Sequence, residues 1–179
     1  MSGARFTFRT LSESDIPMLH RWLRRPHLLE WWRGEQSLQD VRAKYLPRIR
    51  TEDGARPFIA LLDGEPAGYI QYYLADKGDP DWWPDWWPDG PGPGVLGIDQ
   101  FLADPERLGR GLGTLMVSAF VARLFEDPSV TEIRVDPHPD NERAIRCYEK
   151  VGFRRVGPFT SPDGPAVLMI LDRGAEPGT

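Results

Sequence analysis

The segment Arg107-Leu-Gly-Arg-Gly-Leu-Gly-Thr114 places glycines at 109, 111 and 113 just before an apolar run with helical spacing: Leu112, Leu115, Met116, Phe120 and Leu124. A glycine turn that opens a helix lets several backbone N–H groups converge on one anion, and the helix dipole adds to the attraction. Further along, Asn141, Ala144, Ile145 and Tyr148 recur at i, i+3, i+4 and i+7, so Asn141 and Tyr148 share one face of a later helix. A pyrophosphate cradle beside a helix presenting an amide and a phenol suits a long phosphorylated carrier such as coenzyme A. Other nucleotide chemistries fit less well. A P-loop closes on Gly-Lys-Ser/Thr, and Gly111-Leu-Gly-Thr114 has no lysine. A dinucleotide fold puts its glycine turn in the first βα unit, with an acidic residue about 20 positions on. Asp127 lies at that spacing, but the turn falls in the second half of the chain.

Two carboxylates sit where strands should end. Asp99 interrupts the apolar run Val95-Leu-Gly-Ile-Asp-Gln-Phe-Leu102, and Asp136 closes Ile133-Arg-Val-Asp136 before Pro137. Burying an unpaired carboxylate costs several kcal/mol, so such a residue is paired, exposed or catalytic. Sites collect at the carboxyl ends of strands in open α/β sheets, and neighbouring strand ends would bring Asp99 and Asp136 to one cleft. Pairing with Arg134 or Arg143 is the structural alternative. Upstream, Asp76 to Asp99 contains six aspartates and one lysine, a net −5 equal to the formal charge of the whole chain. Clustered carboxylates concentrate cations and steer their approach. The same stretch carries Trp82, Trp83, Trp86 and Trp87, whose indoles can pack on a sugar ring or an ammonium group; a lid with inward-packed indoles is the plainer reading. A polyanionic nucleic acid would be repelled.

These groups need a scaffold. Arg5 to Thr10 alternates as a first strand. Ser12-Glu-Ser-Asp15 starts a helix with Ile16, Leu19, Trp22 and Leu23 on one face, ending before Pro26. Trp31-Trp32 falls in a loop, and Ser37 caps a helix through Leu38, Val41, Tyr45 and Ile49. Phe58–Leu62 and Ala67–Leu74 form a hairpin about Asp63-Gly64, and a proline-rich loop spans Asp76 to Gly94. Strands follow at Val95–Leu102 and Val130–Val135, with helices at Gly111–Phe125 and Asn141–Lys150. Strands at Phe153–Val156 and Ala166–Leu171 flank Pro162-Asp-Gly164. The resulting order is β-α-α-β-β-β-α-β-α-β-β, an α/β (α+β) class with a mixed central sheet flanked by helices.

A chain of 179 residues is most simply one domain, here residues 1–173, with a disordered tail over 174–179. One cysteine, Cys147, excludes an internal disulfide and reads as a small buried side chain. The scattered His20, His27 and His138 offer no metal-ligand cluster, so no metal is expected. No stretch approaches the ~20 apolar residues of a membrane span and no apolar signal region opens the chain, which points to a soluble, cytoplasmic protein without a membrane partner.

The glycine turn followed by Asn141 and Tyr148-Glu-Lys-Val-Gly-Phe153 resembles the GNAT superfamily of N-acetyltransferases, whose element order is the same. The chain departs from it at Leu108, where the superfamily usually has Gln or Arg. A narrower resemblance lies in Glu30-Trp-Trp32, Gly97-Ile-Asp-Gln-Phe-Leu-Ala103, Arg143-Ala-Ile-Arg-Cys-Tyr-Glu-Lys150 and Pro162-Asp-Gly-Pro-Ala-Val167, which look like the aminoglycoside 6'-N-acetyltransferases from about Phe6 to Leu171. That resemblance implies acetyl-CoA as donor, a polycationic aminoglycoside as acceptor and a monomer or weak dimer. It implies Asp99 and Tyr148 as catalytic groups, Asp99 fixing the amine and accepting its proton and Tyr148 hydrogen-bonding the departing thiolate. The donor would lie on Phe101, Leu102, Ala103, Leu108, Gly109, Arg110, Gly111, Leu112, Gly113, Thr114, Asn141, Ala144 and Tyr148, with N–H groups near Phe101 to Ala103 polarising the thioester carbonyl. The acceptor would meet Asp99, Asp136, Asp163, Trp32, Tyr45 and Glu52, together with Trp82 and Trp83 and either Asp79 or Asp81, since the loop duplicates the family's single Trp-Trp. Alternative acceptors are a siderophore hydroxylysine or a protein N-terminus, and a non-catalytic acyl-CoA or sugar-binding module is a third reading.

Overall fold

The computed structural model describes residues 5–32, 34, 37–74 and 92–174. Seven strands, β1 (Phe6–Thr10), β2 (Ala55–Leu62), β3 (Glu65–Leu74), β4 (Val95–Leu102), β5 (Glu132–Val135), β6 (Arg154–Ser161) and β7 (Gly164–Asp172), form one sheet in the order β1-β2-β3-β4-β5-β7-β6. Only β4 and β5 pair in parallel; every other neighbouring pair is antiparallel. Helices α1 (Ile16–Leu23), α2 (Pro26–Leu29), α3 (Leu38–Ile49), α4 (Leu112–Leu124) and α5 (Glu142–Val151) cover the sheet.

Strand alternation sorts the core into two layers. Phe58, Ile70, Leu96, Ile98 and Leu102 point to the face covered by α4 and α5, where Phe120, Met116 and Ile145 complete the packing. Ile59, Tyr69 and Phe101 point to the opposite face, against Leu19 and Leu23 of α1 and Val41 and Tyr45 of α3. Asp99 and Gln71 share the odd-numbered face with Tyr69 and Phe101, and the register sets Gln71 opposite Asp99.

Several boundaries differ from the sequence expectation. Glu13–Asp15 forms a short 3-10 turn ahead of α1. Pro26 does not merely end a helix; it occupies the first turn of α2, where its missing N–H costs nothing. β2 begins at Ala55 and takes Pro57 into the strand. Pro57 is tolerated because its nitrogen faces the β1 side just beyond the last β1–β2 pair, Thr10 with Phe58. The final hairpin is longer than expected, running to Ser161 and resuming at Gly164. The helices expected at Gly111 and Asn141 start one residue later, with those two residues as their caps. Among the described residues no helix is long and apolar enough to cross a membrane.

The parallel pair is short. β4 and β5 are in register only from Val95 with Glu132 to Gly97 with Arg134. Beyond that, β4 continues to Leu102 alongside β3, while β5 stays with β7. The two strands part, and the gap between them opens the sheet.

Candidate active site

A cleft of about 530 Å³ fills that gap, walled by Gln100 and Leu102 of β4, the Leu108–Gly111 turn and the Ala144–Cys147 face of α5. The turn is built from backbone. Asp104 caps a 3-10 turn over Pro105–Arg107, accepting from the Glu106 N–H at 3.0 Å. Gly109 and Gly111 then adopt φ of +72° and +79°, a region that side chains with a Cβ avoid. Gly111 is the cap of α4 but has no side chain to satisfy it, and the helix ladder starts only at the Leu115 N–H on the Gly111 carbonyl. The N–H groups of Leu112, Gly113 and Thr114 therefore open on the cleft, an arrangement suited to a phosphate. At Gly113 an added Cβ would lie in ordinary contact with Cys147 Sγ, 3.5 Å away, which marks where α4 and α5 meet. Leu108, at the departure from the superfamily pattern, packs on the core.

Asn141 serves as a cap, its Oδ1 accepting from the Ala144 N–H at 3.1 Å, and also lines the cleft. Arg143, Arg146 and Lys150 line it too, at i, i+3 and i+7 along α5, with Arg146 held to Glu142 at 2.7 Å. Their spacing was visible in the sequence, yet the sequence reading took only the neutral face of that helix as ligand-facing. His27 is a further cleft residue that it missed. Its Nε2 lies 3.1 Å from the Leu102 carbonyl, and Arg25 donates to the Ala103 carbonyl. These contacts anchor the end of β4. The Ala103 N–H is spent on the Ala67 carbonyl at 2.9 Å, and alternation of the antiparallel ladder commits Phe101 to β3 as well. Of the three residues expected to supply donors, only Leu102 presents its N–H to the gap, joined there by Gln100.

Tyr148 is buried in the core behind the cleft, its ring 5.4 Å from Phe153 and its hydroxyl hydrogen-bonded with the side chain of the cleft residue Gln100. Burial pushes its phenol far above the ordinary tyrosine range, so it stays protonated at all physiological pH values. Cys147 is likewise held as a thiol: burial raises it, outweighing the opposing hydrogen bond that Thr114 Oγ1 donates to its sulfur at 3.6 Å. A buried neutral thiol is a poor nucleophile.

On the other face of β4, Asp99 accepts a hydrogen bond from Gln71 Nε2 at 2.7 Å. Burial raises the Asp99 carboxyl; the Gln71 bond and the charges of Arg48 and Lys44 oppose this, and the Asp163 carboxylate adds to the rise. Asp163 thus faces Asp99 from the exposed β6–β7 turn, where its N–H is held by Ser161 Oγ at 3.2 Å. Asp136, half-buried just past β5, and Asp99 both act on the buried Tyr73 phenol, which Tyr148 also reaches. Asp99 thus lies within electrostatic reach of Asp163 and Tyr148, and Asp136 within reach of Tyr148. Trp32 packs edge-on to Phe101 at 5.0 Å and to Tyr69 at 5.9 Å. Tyr45, expected to face the acceptor, is instead fully buried, edge-on to Tyr69 at 5.6 Å, and supports the site from beneath. Glu52 is exposed beyond α3, and its neighbour Asp53 is the carboxylate tied to Arg48, at 3.4 Å. Asp79, Asp81, Trp82 and Trp83 lie outside the described residues. Among the described residues no cluster of His, Cys, Asp or Glu could hold a metal ion.

A seven-stranded mixed sheet, splayed at its one parallel pair over a glycine turn and an open helix N-terminus, defines a coenzyme A-dependent acyltransferase architecture. Residues 12–161 match the acetyltransferase (GNAT) domain family, and the chain belongs to it. Within it, the aminoglycoside N(6')-acetyltransferase type 1 of Klebsiella pneumoniae is 51% identical over 172 residues, spanning 94% of this chain and 84% of that one. The chain is therefore a member of the aminoglycoside N(6')-acetyltransferase family. The solved structure of AAC(6')-Ib in complex with parmomycin and acetyl-CoA superposes with a TM-score of 0.88 at 49% identity, covering 96% of this chain and 95% of that one. The same enzyme with coenzyme A and kanamycin gives a TM-score of 0.86 at 49% identity, over 95% and 96% of the two chains.

Proposed function

We propose that this protein transfers an acetyl group from acetyl-CoA to the 6'-amine of an aminoglycoside antibiotic and thereby confers resistance. The observation that carries this reading is a buried carboxylate, Asp99, which feels the charge of Asp163 and lies on the far side of β4 from a glycine turn suited to an anion. Such a site presents negative charge to a cationic acceptor and positive charge to a phosphorylated donor.

Acetyl-CoA supplies an acetyl thioester. The open N–H groups of Leu112, Gly113 and Thr114 and the turn at Gly109–Gly111 fit its pyrophosphate, and Arg143, Arg146 and Lys150 fit its remaining phosphate charge. The Gln100 and Leu102 N–H groups face the gap, where donors of this kind stabilise charge developing on a carbonyl oxygen. An ammonium has no lone pair and must lose a proton before it attacks. Asp99 binds that ammonium and takes the proton; its raised carboxyl is a better base than an ordinary one of pKa about 4. Tyr148, always protonated, donates to the departing sulfur. Asp136 and Asp163 hold other ammonium groups of the acceptor.

A thiol-release screen across amines tests the assignment. Polycationic aminosugars bearing a 6'-amine should give rapid turnover, and lysine derivatives and peptide N-termini none. Preference for hydroxylysine or a peptide would replace this acceptor, and no thiol release with any amine would favour a binding module.

A further inference from the structure

Two cations, Lys44 and Arg48, face the acidic acceptor side of the site, and Arg48 is the nearly buried one. Arg48, in the last turn of α3, lies with its guanidinium 5.3 Å from the centre of the Tyr45 ring, and its side chain is 19% exposed. It makes an ion pair with Asp53 at 3.4 Å and donates from Nη1 to Gln71 Oε1 at 2.8 Å. The Tyr69 hydroxyl donates to that same oxygen at 2.6 Å. Two donors on one side of the Gln71 amide fix its orientation, so its NH₂ group points at Asp99 Oδ2, 2.7 Å away. Gln71 is itself only 4% exposed, and a buried amide in a strand persists where its donors and acceptors are all engaged.

We propose that Arg48 and Gln71 are positioning residues for the acetyl transfer: the guanidinium, acting through the amide, aims the Asp99 carboxylate and holds it ionised. This rests on the proposed role of Asp99. The chain Arg48–Gln71–Asp99 is continuous, and Tyr69 braces it from the same strand as Gln71. The groups facing Asp99 leave Arg48 a distinct task. Lys44 and Arg48 approach from α3, Tyr69, Gln71 and Tyr73 from β3, Asp136 from the end of β5, Asp163 from the β6–β7 turn and Tyr148 from α5. The carboxylates and burial favour a protonated Asp99, which could neither bind an ammonium nor accept its proton. Arg48 is wired to Asp99 by hydrogen bonds at both ends of a fixed amide.

The test compares the pH dependence of kcat/KM for kanamycin in wild type, Arg48→Met, Arg48→Lys and Gln71→Met, together with a carboxyl carbon NMR titration of Asp99 in each protein without substrate. A carboxylate that loses a neighbouring cation gains proton affinity, so the acid limb should move to higher pH. In Arg48→Met we expect a shift of about one pH unit, a loss of about tenfold in kcat/KM on the acid limb and little loss on the plateau above it. Arg48→Lys should return the limb most of the way. Gln71→Met keeps the cation but removes the hydrogen bond that lowers the Asp99 carboxyl and cuts the tether, so the acid limb should again move up and kcat should fall across the whole pH range. Coenzyme A affinity should be the same in all four. An acid limb and an Asp99 titration unmoved in Arg48→Met would overturn the proposal, whatever happens to the melting temperature, and would leave Arg48 a packing residue of α3. If Arg48→Met does not fold, the titration of Arg48→Gln, which also removes the charge but stays polar, carries the same decision. A wild type that acetylates no aminosugar would refute the functional reading instead, while the NMR titration would still decide the coupling.

Discussion

Asp99→Asn is expected to lower kcat/KM for a 6'-amino aminoglycoside by ~10²–10⁴-fold, the usual worth of a positioned acid or base, with little change in coenzyme A affinity. The substitution keeps size and can still engage Gln71, so packing on the odd-numbered face of β4 survives. What it removes is the negative charge proposed to anchor an ammonium and the site proposed to take its proton. The pH dependence separates the two forms of Asp99. Its carboxyl is raised by burial, so activity should fall as pH drops through that raised value, because the protonated form cannot accept a proton. The Asn variant has no such group, and the acid limb assigned to Asp99 should vanish from its residual activity. Wild-type kcat/KM in Asp99→Asn, or an acid limb that persists unchanged, would remove Asp99 from the chemistry.

Tyr148→Phe should reduce turnover by ~10²-fold or more while leaving the fold and donor binding intact. Phenylalanine preserves the ring contact with Phe153 at 5.4 Å and loses only the hydroxyl and its hydrogen bond with Gln100. One buried hydrogen bond contributes about 1 kcal/mol to stability, so a small drop in melting temperature should accompany the large kinetic loss. Because the wild-type phenol is pushed far above the ordinary range, no basic limb in the neutral region belongs to it, and the variant's profile should keep the wild-type shape at lower height. Wild-type turnover in Tyr148→Phe would mean that the sulfur leaves without this donor.

The donor side was more legible in the sequence than the acceptor side, for a physical reason. A glycine turn and a helix face are local: Gly109, Gly111 and Gly113 mark positions where backbone must bend or approach closely, and i, i+3, i+4, i+7 spacing places Asn141 and Tyr148 together without any knowledge of the sheet. Asp99 also stood out, as a charge inside an apolar strand. Arg48 and Gln71 did not. Arg48 reads as one more basic residue near a helix end, and only the β3–β4 register that sets Gln71 opposite Asp99 joins them. The signal that could have found Gln71 is a single polar residue inside Tyr69-Ile-Gln-Tyr-Tyr73, a strand buried on both faces. Tyr45, a substrate-side expectation of the family resemblance, is fully buried edge-on to Tyr69; helical spacing gives a residue's face but not its depth. Helix α2 was missed because Pro26 was taken as a stop, when proline also suits a helix's first turn. The donors at the end of β4 depended on ladder parity, which decides that Leu102 and Gln100, not Phe101 or Ala103, open on the gap.

The most direct test of the account is to map the product formed from kanamycin and acetyl-CoA by mass spectrometry and two-dimensional NMR. A single acetyl group on the 6'-amine, formed with one equivalent of released coenzyme A, is the expected result. Acetylation at another ring amine would contradict the arrangement of Asp99, Asp136 and Asp163 about the acceptor, and no acetylated kanamycin, with none from any other aminoglycoside, would contradict the function itself.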